Sequence, residues 1–182
     1  MSDGIQEEIE NKIIDWIING AGGRLVIFKP ENLSDGANLV VAQKGGYESK
    51  KNEGPQKSVI VKAQIFGHSS DKEAKEILIC VNGQARVNDN SVFAQNINVD
   101  NFKITDNFYL MFVFLNTFKH DIGDFLCFLP LKEFIKNADK TESKNIFRFE
   151  SFLASDKKDK YSKFLINKKD LSKVLLNIMS KT

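Results

Sequence analysis

The chain has 182 residues, of which 42% are apolar and 10% aromatic, with 15 Phe. This length suits one domain, and the abundance of large apolar side chains excludes a disordered protein. The net charge of +2 excludes the strongly basic balance of proteins that capture nucleic acid by charge alone. We therefore expect a single folded domain over residues 1–182.

The N-terminal half predicts a helix followed by three strands. Large apolar residues recur at spacings of three and four in residues 5–18, as in an amphipathic helix that turns Glu7, Glu10 and Asp15 toward solvent. This helix should end at residues 19–20 (Asn-Gly), and the glycines at 22 and 23 that follow suit a C-cap and a turn. Strands are predicted at 24–29, 37–43 and 57–66, the last because its side chains alternate in polarity. The apolar stripe consists of Ile5, Ile9, Ile13, Trp16 and Ile17.

The C-terminal half predicts strands at 77–81, 108–115 and 125–129, with a short helix within 88–102. A second helix should follow Pro130, residues 146–153 should form an edge strand or an extended segment, and a C-terminal helix should span about 168–180, with Asn167 as its N-cap. Helices before and after a central sheet predict an α/β fold, a mixed central sheet flanked by helices. The lysines of the last third should form a solvated face: Lys157, Lys158, Lys160, Lys163, Lys168, Lys169 and Lys173.

Cysteine usage and the N-terminus predict a cytoplasmic setting. Cys80 and Cys127 each interrupt an apolar run, so we expect reduced, buried thiols. There is no Cys-x-x-Cys pair, and His68 and His120 are far apart, which argues against zinc. The first ten residues, MSDGIQEEIE, are too polar for a signal peptide, and no apolar run approaches the ~18 residues that span a bilayer, so no membrane association is expected.

Two short segments carry the candidate site. Residues 34–41 (SDGANLVV) lead into the second predicted strand, and residues 58–63 (SVIVKA) lie on the third. With the preceding helix, they resemble the PD-(D/E)XK restriction-endonuclease-like superfamily, in the form of a small bacterial member. In that family an aspartate on one strand is followed on the next by an acidic residue or Gln, any residue, and Lys. The resemblance extends to the strand pair at 106–115 and 124–130 and implies a restriction-endonuclease-like core.

The resemblance implies a phosphodiester-cleaving site built around Mg²⁺, which carboxylate oxygens hold beside an activated water. Asn38 stands at the aspartate position, Ile60 at the acidic position, and Lys62 matches. The implied catalytic residues are Lys62, Asn38 and Asp35. If the register shifts, Asp35 supplies a metal-binding carboxylate and Glu8, or Glu10, supplies another from the first helix. Gln64 shares the strand face of Lys62.

An amide and an alkyl group at two carboxylate positions favour a catalytically impaired domain that binds nucleic acid or a protein partner. One alternative is an active Mg²⁺-dependent nuclease using Asp35, Lys62 and a helix glutamate. Another is a purely structural interaction module of a defence or mobile-element system. A simpler interpretation makes residues 35–36 an ordinary turn and Lys62 a surface side chain at a sheet edge. The nuclease-like hypothesis predicts that strands 37–43 and 57–66 are neighbours in one sheet, with the Asn38 and Lys62 side chains close together.

Overall fold

The computed structural model describes residues 3–30, 35–44, 76–86, 88 and 91–181. The predicted strand 57–66, with Ile60, Lys62 and Gln64, lies outside the described residues, as does His68. The elements in chain order are α1 (Asp3–Ala21), β1 (Leu25–Phe28), β2 (Leu39–Gln43), β3 (Glu76–Arg86), β4 (Phe93–Asn98), β5 (Phe108–Asn116), β6 (Asp121–Ile122), β7 (Phe125–Pro130), α2 (Leu131–Asn137), β8 (Asp139–Lys140), β9 (Ile146–Ser151), β10 (Leu165–Asn167) and α3 (Leu171–Lys181). Short 3-10 turns lie at Val99–Asn101, Ser162–Phe164 and Lys168–Asp170.

Among the residues that the structure describes, a seven-stranded mixed sheet organises the fold. Its order is β1-β2-β3-β5-β7-β10, with β6 pairing beside β5. β3 and β5 run parallel, and the other neighbours are antiparallel. Helices pack on this sheet, so the predicted α/β class with a mixed central sheet is confirmed. No helix in the described part of the chain is long and apolar enough to cross a bilayer.

A second, smaller sheet was not predicted. β4 leaves the main sheet between β3 and β5 and forms the three-stranded antiparallel order β4-β9-β8. The short helix predicted within 88–102 is present only as the 3-10 turn Val99–Asn101, and most of the segment is β4 instead. Phe93 and Ile97 are four apart, and such a spacing fits one face of either a helix or a strand. The predicted segment 146–153 becomes β9, which is the centre of the small sheet and not an edge.

Two apolar clusters lie on opposite faces of the main sheet. One packs against α1 and α3, and the other lies under α2 and the small sheet. Alternate residues of β5 enter the two clusters: Met111 and Val113 enter the first, and Phe112 and Phe114 the second. Burial on both faces explains the continuous apolar run of this strand. The phenylalanine-rich strand β5 is therefore part of the core.

The helix boundaries follow the capping residues. α1 ends at Ala21, one residue beyond the predicted end, and the glycines expected in the turn follow, with φ angles of 56° at Gly22 and 76° at Gly23 that suit glycine. The Asn167 side chain accepts a hydrogen bond from the Lys169 N–H at 3.0 Å and so caps the turn that leads into α3. α1 and α3 approach closely because the Ser172 hydroxyl lies against Gly20.

Lys168 is buried and contradicts the predicted solvated lysine face. Its ammonium donates to Asp121 Oδ2 at 2.6 Å and to the Ile122 carbonyl at 3.0 Å, and it lies 5.2 Å from the centroid of the Trp16 ring. Burial raises the pKa of Asp121, but the hydrogen bond and charge of Lys168 outweigh this and hold that pKa below its usual value. A buried charge must be paired, and this pair fastens β6 to the turn Lys168–Asp170 that leads into α3.

The two cysteines are free thiols. Cys127 is buried, as predicted, and burial raises its pKa well above the usual value. Cys80 is only partly buried. Its surroundings still raise its pKa to about 12, chiefly through desolvation, with a contribution from the charge of Glu10 that a hydrogen bond with Asn82 opposes.

Candidate functional site

Asn38 lies where β2 begins and β3 continues beyond it. The Asn38 N–H donates to the Ile79 carbonyl at 3.0 Å, and backbone pairing of β2 with β3 ends there. The Asn38 side chain then continues the pairing. Its Oδ1 accepts from the Val81 N–H at 2.7 Å, and its Nδ2 donates to the Val81 carbonyl at 3.1 Å. The amide thus replaces a peptide group at an otherwise open strand edge.

Gln6 of α1 extends this edge. Its Nε2 donates to the Val81 carbonyl at 2.8 Å, and its Oε1 accepts from the Gly83 N–H at 3.2 Å. The helix approaches this closely because residue 83 has no side chain; a Cβ there would overlap the Ile9 side chain. Gly83 therefore positions Gln6.

Glu10 joins the two amides. Its Oε1 accepts from Gln6 Nε2 and from Asn38 Nδ2, both at 2.9 Å. Its Oε2 lies 3.2 Å from Lys29 Nζ, which also donates to Asn11 at 3.0 Å. The Glu10 side chain is 14% exposed, so it does not face solvent as predicted. We call this group the Gln6–Glu10–Asn38 cluster.

The other predicted site residues that the structure describes, Asp35 and Glu8, make their contacts outside this cluster. The Asp35 carbonyl accepts from the Lys103 N–H at 3.3 Å, and the turn at Gly36, with φ of 77°, packs against Asn101 and Phe102. This placement matches the simpler turn interpretation of residues 35–36. Glu8 lies 3.6 Å from His120 Nδ1, away from Asn38. Lys62 lies outside the described residues.

The described neighbours of β2 are β1 and β3. Over residues 40–42, β2 pairs with β1 on one edge and with β3 on the other. The strand predicted at 77–81 lies beside Asn38, and it is longer than expected because it extends to Arg86. The predicted neighbour at 57–66 lies outside the described residues, so its pairing with β2 stays a prediction.

The described residues of the cluster do not fit a Mg²⁺ ion. Mg²⁺ takes oxygen ligands, usually with one or two carboxylates among them. Glu10 offers one carboxylate, already hydrogen-bonded to two amides and paired with Lys29, and Asn38 Oδ1 is bound by a backbone N–H. Across the described ranges, no three His, Cys, Asp or Glu side chains lie together as a metal site would require.

Gln6 of the cluster, and Lys29, which pairs with Glu10, were missed from sequence. Gln6 and Glu10 are one helical turn apart, a spacing at which side chains meet. This spacing was visible in the sequence, but it does not indicate a site by itself. It points to one only when the strand that the two side chains contact is known. Lys29 follows β1 and contacts α1 only through the tertiary fold.

Comparison with known proteins does not place this chain in a family. No family model, no curated protein and no solved structure matches it. The resemblance based on Asn38 and Lys62 is therefore taken further only as a proposal.

Proposed function

We propose that this chain is a restriction-endonuclease-like domain with an impaired metal site, which binds nucleic acid without cleaving it. The observation that carries the proposal is the contact between Glu10 and Asn38 at 2.9 Å. In the superfamily that the sequence resembles, an acid from the first helix can join the residue at the aspartate position. Here the same two positions meet, but their polar atoms serve the edge of β3.

The order of the described elements supports the nuclease-like part of the proposal. α1 is followed by the antiparallel strands β1 and β2, and Glu10 and Asn38 come from α1 and from the start of β2. The strand pair β5 and β7 follows later in the chain, with antiparallel register from Tyr109 opposite Pro130. The resemblance expects a helix and a strand before the aspartate position and this later strand pair, although fold alone does not determine activity.

The energetics of the cluster support impairment. Asn38 Oδ1 already accepts from the Val81 N–H, which takes up one of its two lone pairs, and any movement toward a metal that broke this bond would cost about 1–3 kcal/mol. Glu10 would also have to give up Lys29 and two amide donors. A neutral amide and one neutralised carboxylate return little to offset these losses.

Fluorescence anisotropy with labelled duplex DNA, single-stranded DNA and RNA tests both parts of the proposal. We expect saturable binding that is the same in Mg²⁺ and in EDTA, with the probe intact on a denaturing gel afterwards. Metal-dependent turnover that disappears in Lys62→Ala would refute impairment. Failure to bind any of the three probes would refute the nucleic-acid part.

Phe118 favours a second candidate, a protein-interaction module. It lies in the turn after β5 with 87% of its surface exposed. Asn116 Oδ1 accepts from the N–H groups of Phe118 and Lys119, at 3.1 and 3.0 Å, which fixes the turn. Exposed aromatic side chains on fixed turns are typical anchors of protein interfaces. Self-association in sedimentation that is lost in Phe118→Ser, without nucleic-acid binding, would favour this candidate.

A further inference from the structure

A surface pocket lies at the β10 edge of the main sheet, far from the Gln6–Glu10–Asn38 cluster. Its volume is about 470 Å³, which is within the range of sites for small ligands. It lies about four strand intervals from β2, or roughly 19 Å at the usual strand spacing. Lys158, Lys160, Lys163, Ser155 and Ser162 contribute to its lining. We call it the lysine pocket.

We propose that the lysine pocket binds the phosphate group of a small phosphorylated ligand of about nucleotide size. This goes beyond the proposed function, because no residue of the lysine pocket belongs to the Gln6–Glu10–Asn38 cluster. Ammonium groups bind phosphate as point charges, and serine hydroxyls donate to its oxygens.

The three lysines differ in how far their charge is already paired. Lys160 Nζ lies 2.6 Å from Asp139, whereas Lys163 Nζ is 4.0 Å from Glu133, the outer limit of an ion pair. Lys158 has no carboxylate partner among the residues that the structure describes. The ammonium groups of Lys158 and Lys163 are therefore the least neutralised by carboxylates, and they are the ones that can pair with an anion.

The acidic residue of the pocket is turned inward. Asp159 Oδ2 accepts from the Ser151 hydroxyl at 2.7 Å, and its Oδ1 accepts from the Tyr161 N–H at 2.8 Å. The Asp159 N–H donates to Ser162 Oγ at 2.7 Å, which leaves the Ser162 hydroxyl hydrogen only a long contact of 3.5 Å, to Asp159 Oδ1. Asp159 thus organises the loop, and Ser162 can still donate to a ligand.

Buried side chains anchor the loop that carries the lysines. Tyr161 is fully buried beneath it, and Leu153, at its start, is buried with a φ of 51°. A leucine in the left-handed region costs free energy and persists only where the surroundings enforce it. Such a loop presents its lysines without having to order them on binding, which favours affinity.

Proton–nitrogen correlation spectra during titration test the proposal, with inorganic phosphate, adenosine monophosphate and a single-stranded oligonucleotide as separate probes and sodium chloride matching the ionic strength. We expect saturable shifts of the amides of residues 155–163 with phosphate and, more tightly, with the mononucleotide. Lys158→Gln combined with Lys163→Gln should weaken mononucleotide binding about tenfold. Lys173→Gln, an exposed lysine on α3 outside the pocket, is the matched control and should leave binding unchanged.

Three results would overturn the proposal. The first is the absence of saturable shifts with phosphate or the mononucleotide. The second is an equal loss of affinity in the control variant, which would indicate a general charge effect. The third is binding of the oligonucleotide alone, which would assign the lysines to a nucleic-acid surface. Because this readout follows residues 155–163, its failure is distinguishable from failure of the proposed function.

Discussion

Replacing Asn38 with aspartate tests the role of the Gln6–Glu10–Asn38 cluster most sharply, because it restores the residue that the superfamily pattern expects. Asn38 Nδ2 donates to Glu10 at 2.9 Å and to the Val81 carbonyl at 3.1 Å. A carboxylate can make neither bond. The change therefore removes two hydrogen bonds and sets two carboxylates side by side. We expect Asn38→Asp to destabilise the fold in the absence of divalent cations.

The magnitude follows from these contacts. Two neutral hydrogen bonds contribute about 1 kcal/mol each. Two carboxylates about 4 Å apart repel by roughly 1 kcal/mol in water and about 4 kcal/mol near a protein surface. Lys29, 3.2 Å from the far oxygen of Glu10, offsets part of this repulsion. The expected loss in free energy of unfolding is about 3 kcal/mol at neutral pH.

Urea denaturation of wild type, Asn38→Asp and the matched control Asn177→Asp, an exposed site on α3, measures the loss. In Asn38→Asp the neighbouring charge raises the pKa of the introduced carboxyl in the folded state above its unfolded value. The stability deficit is then present at neutral pH and shrinks as pH falls through the raised pKa. A change below about 0.5 kcal/mol at neutral pH, typical of ordinary surface substitutions, would refute the structural role of the cluster.

Three further predictions concern the core. Lys168→Met should lower the free energy of unfolding by about 1–2 kcal/mol in urea denaturation, because it breaks a buried ion pair. The control Lys169→Met, at the exposed neighbouring position, should change the free energy of unfolding little. Equal effects of the two variants would contradict this prediction. Both thiols have raised pKa values, so in the native protein Cys127 should resist a bulky thiol reagent and Cys80 should react slowly. Rapid labelling of either thiol would contradict its shielded position in the structure. Gly83→Ala should lower the thermal midpoint, at a cost of about 2 kcal/mol, and an unchanged midpoint would show that α1 can move away.

The strongly patterned elements were predictable from sequence. The apolar stripe of α1 repeats at helical spacing over many residues, which fits only a helix. The short, nearly continuous apolar run of β5 is typical of a strand buried on both faces. β4 was not predictable. Its two large buried side chains, Phe93 and Ile97, suit a helix or a strand equally, and pairing with β9 decides between them.

The candidate site was less predictable than the fold. Asn38 was identified, but its partner in the next strand is the backbone of Val81, which no residue type reveals. Glu10 was expected in solvent because helical periodicity alone places it beside the apolar stripe. Lys168 shows the same limit, since a lysine in a lysine-rich segment gives no sign of the buried aspartate contact that tertiary structure provides.

The superfamily alignment itself is testable by restoring both lost acids. Asn38→Asp combined with Ile60→Glu should raise the affinity for Mn²⁺ in calorimetric titration if the two positions are aligned correctly, because two carboxylates then face one ion. The control is Asn177→Asp, which should not change it. Affinity unmoved by the double change would discard the alignment while leaving the structural role of the cluster intact.

A cleavage assay on the wild-type protein tests the central claim most directly. Purified protein is incubated with duplex DNA and with RNA in Mg²⁺ or Mn²⁺, and the products are followed over time beside the Lys62→Ala variant. We predict no metal-dependent turnover by either protein, because Asn38 and Glu10 are committed to the edge of β3 and one lysine cannot replace a bound metal. Turnover by the wild type that disappears in Lys62→Ala would contradict the account.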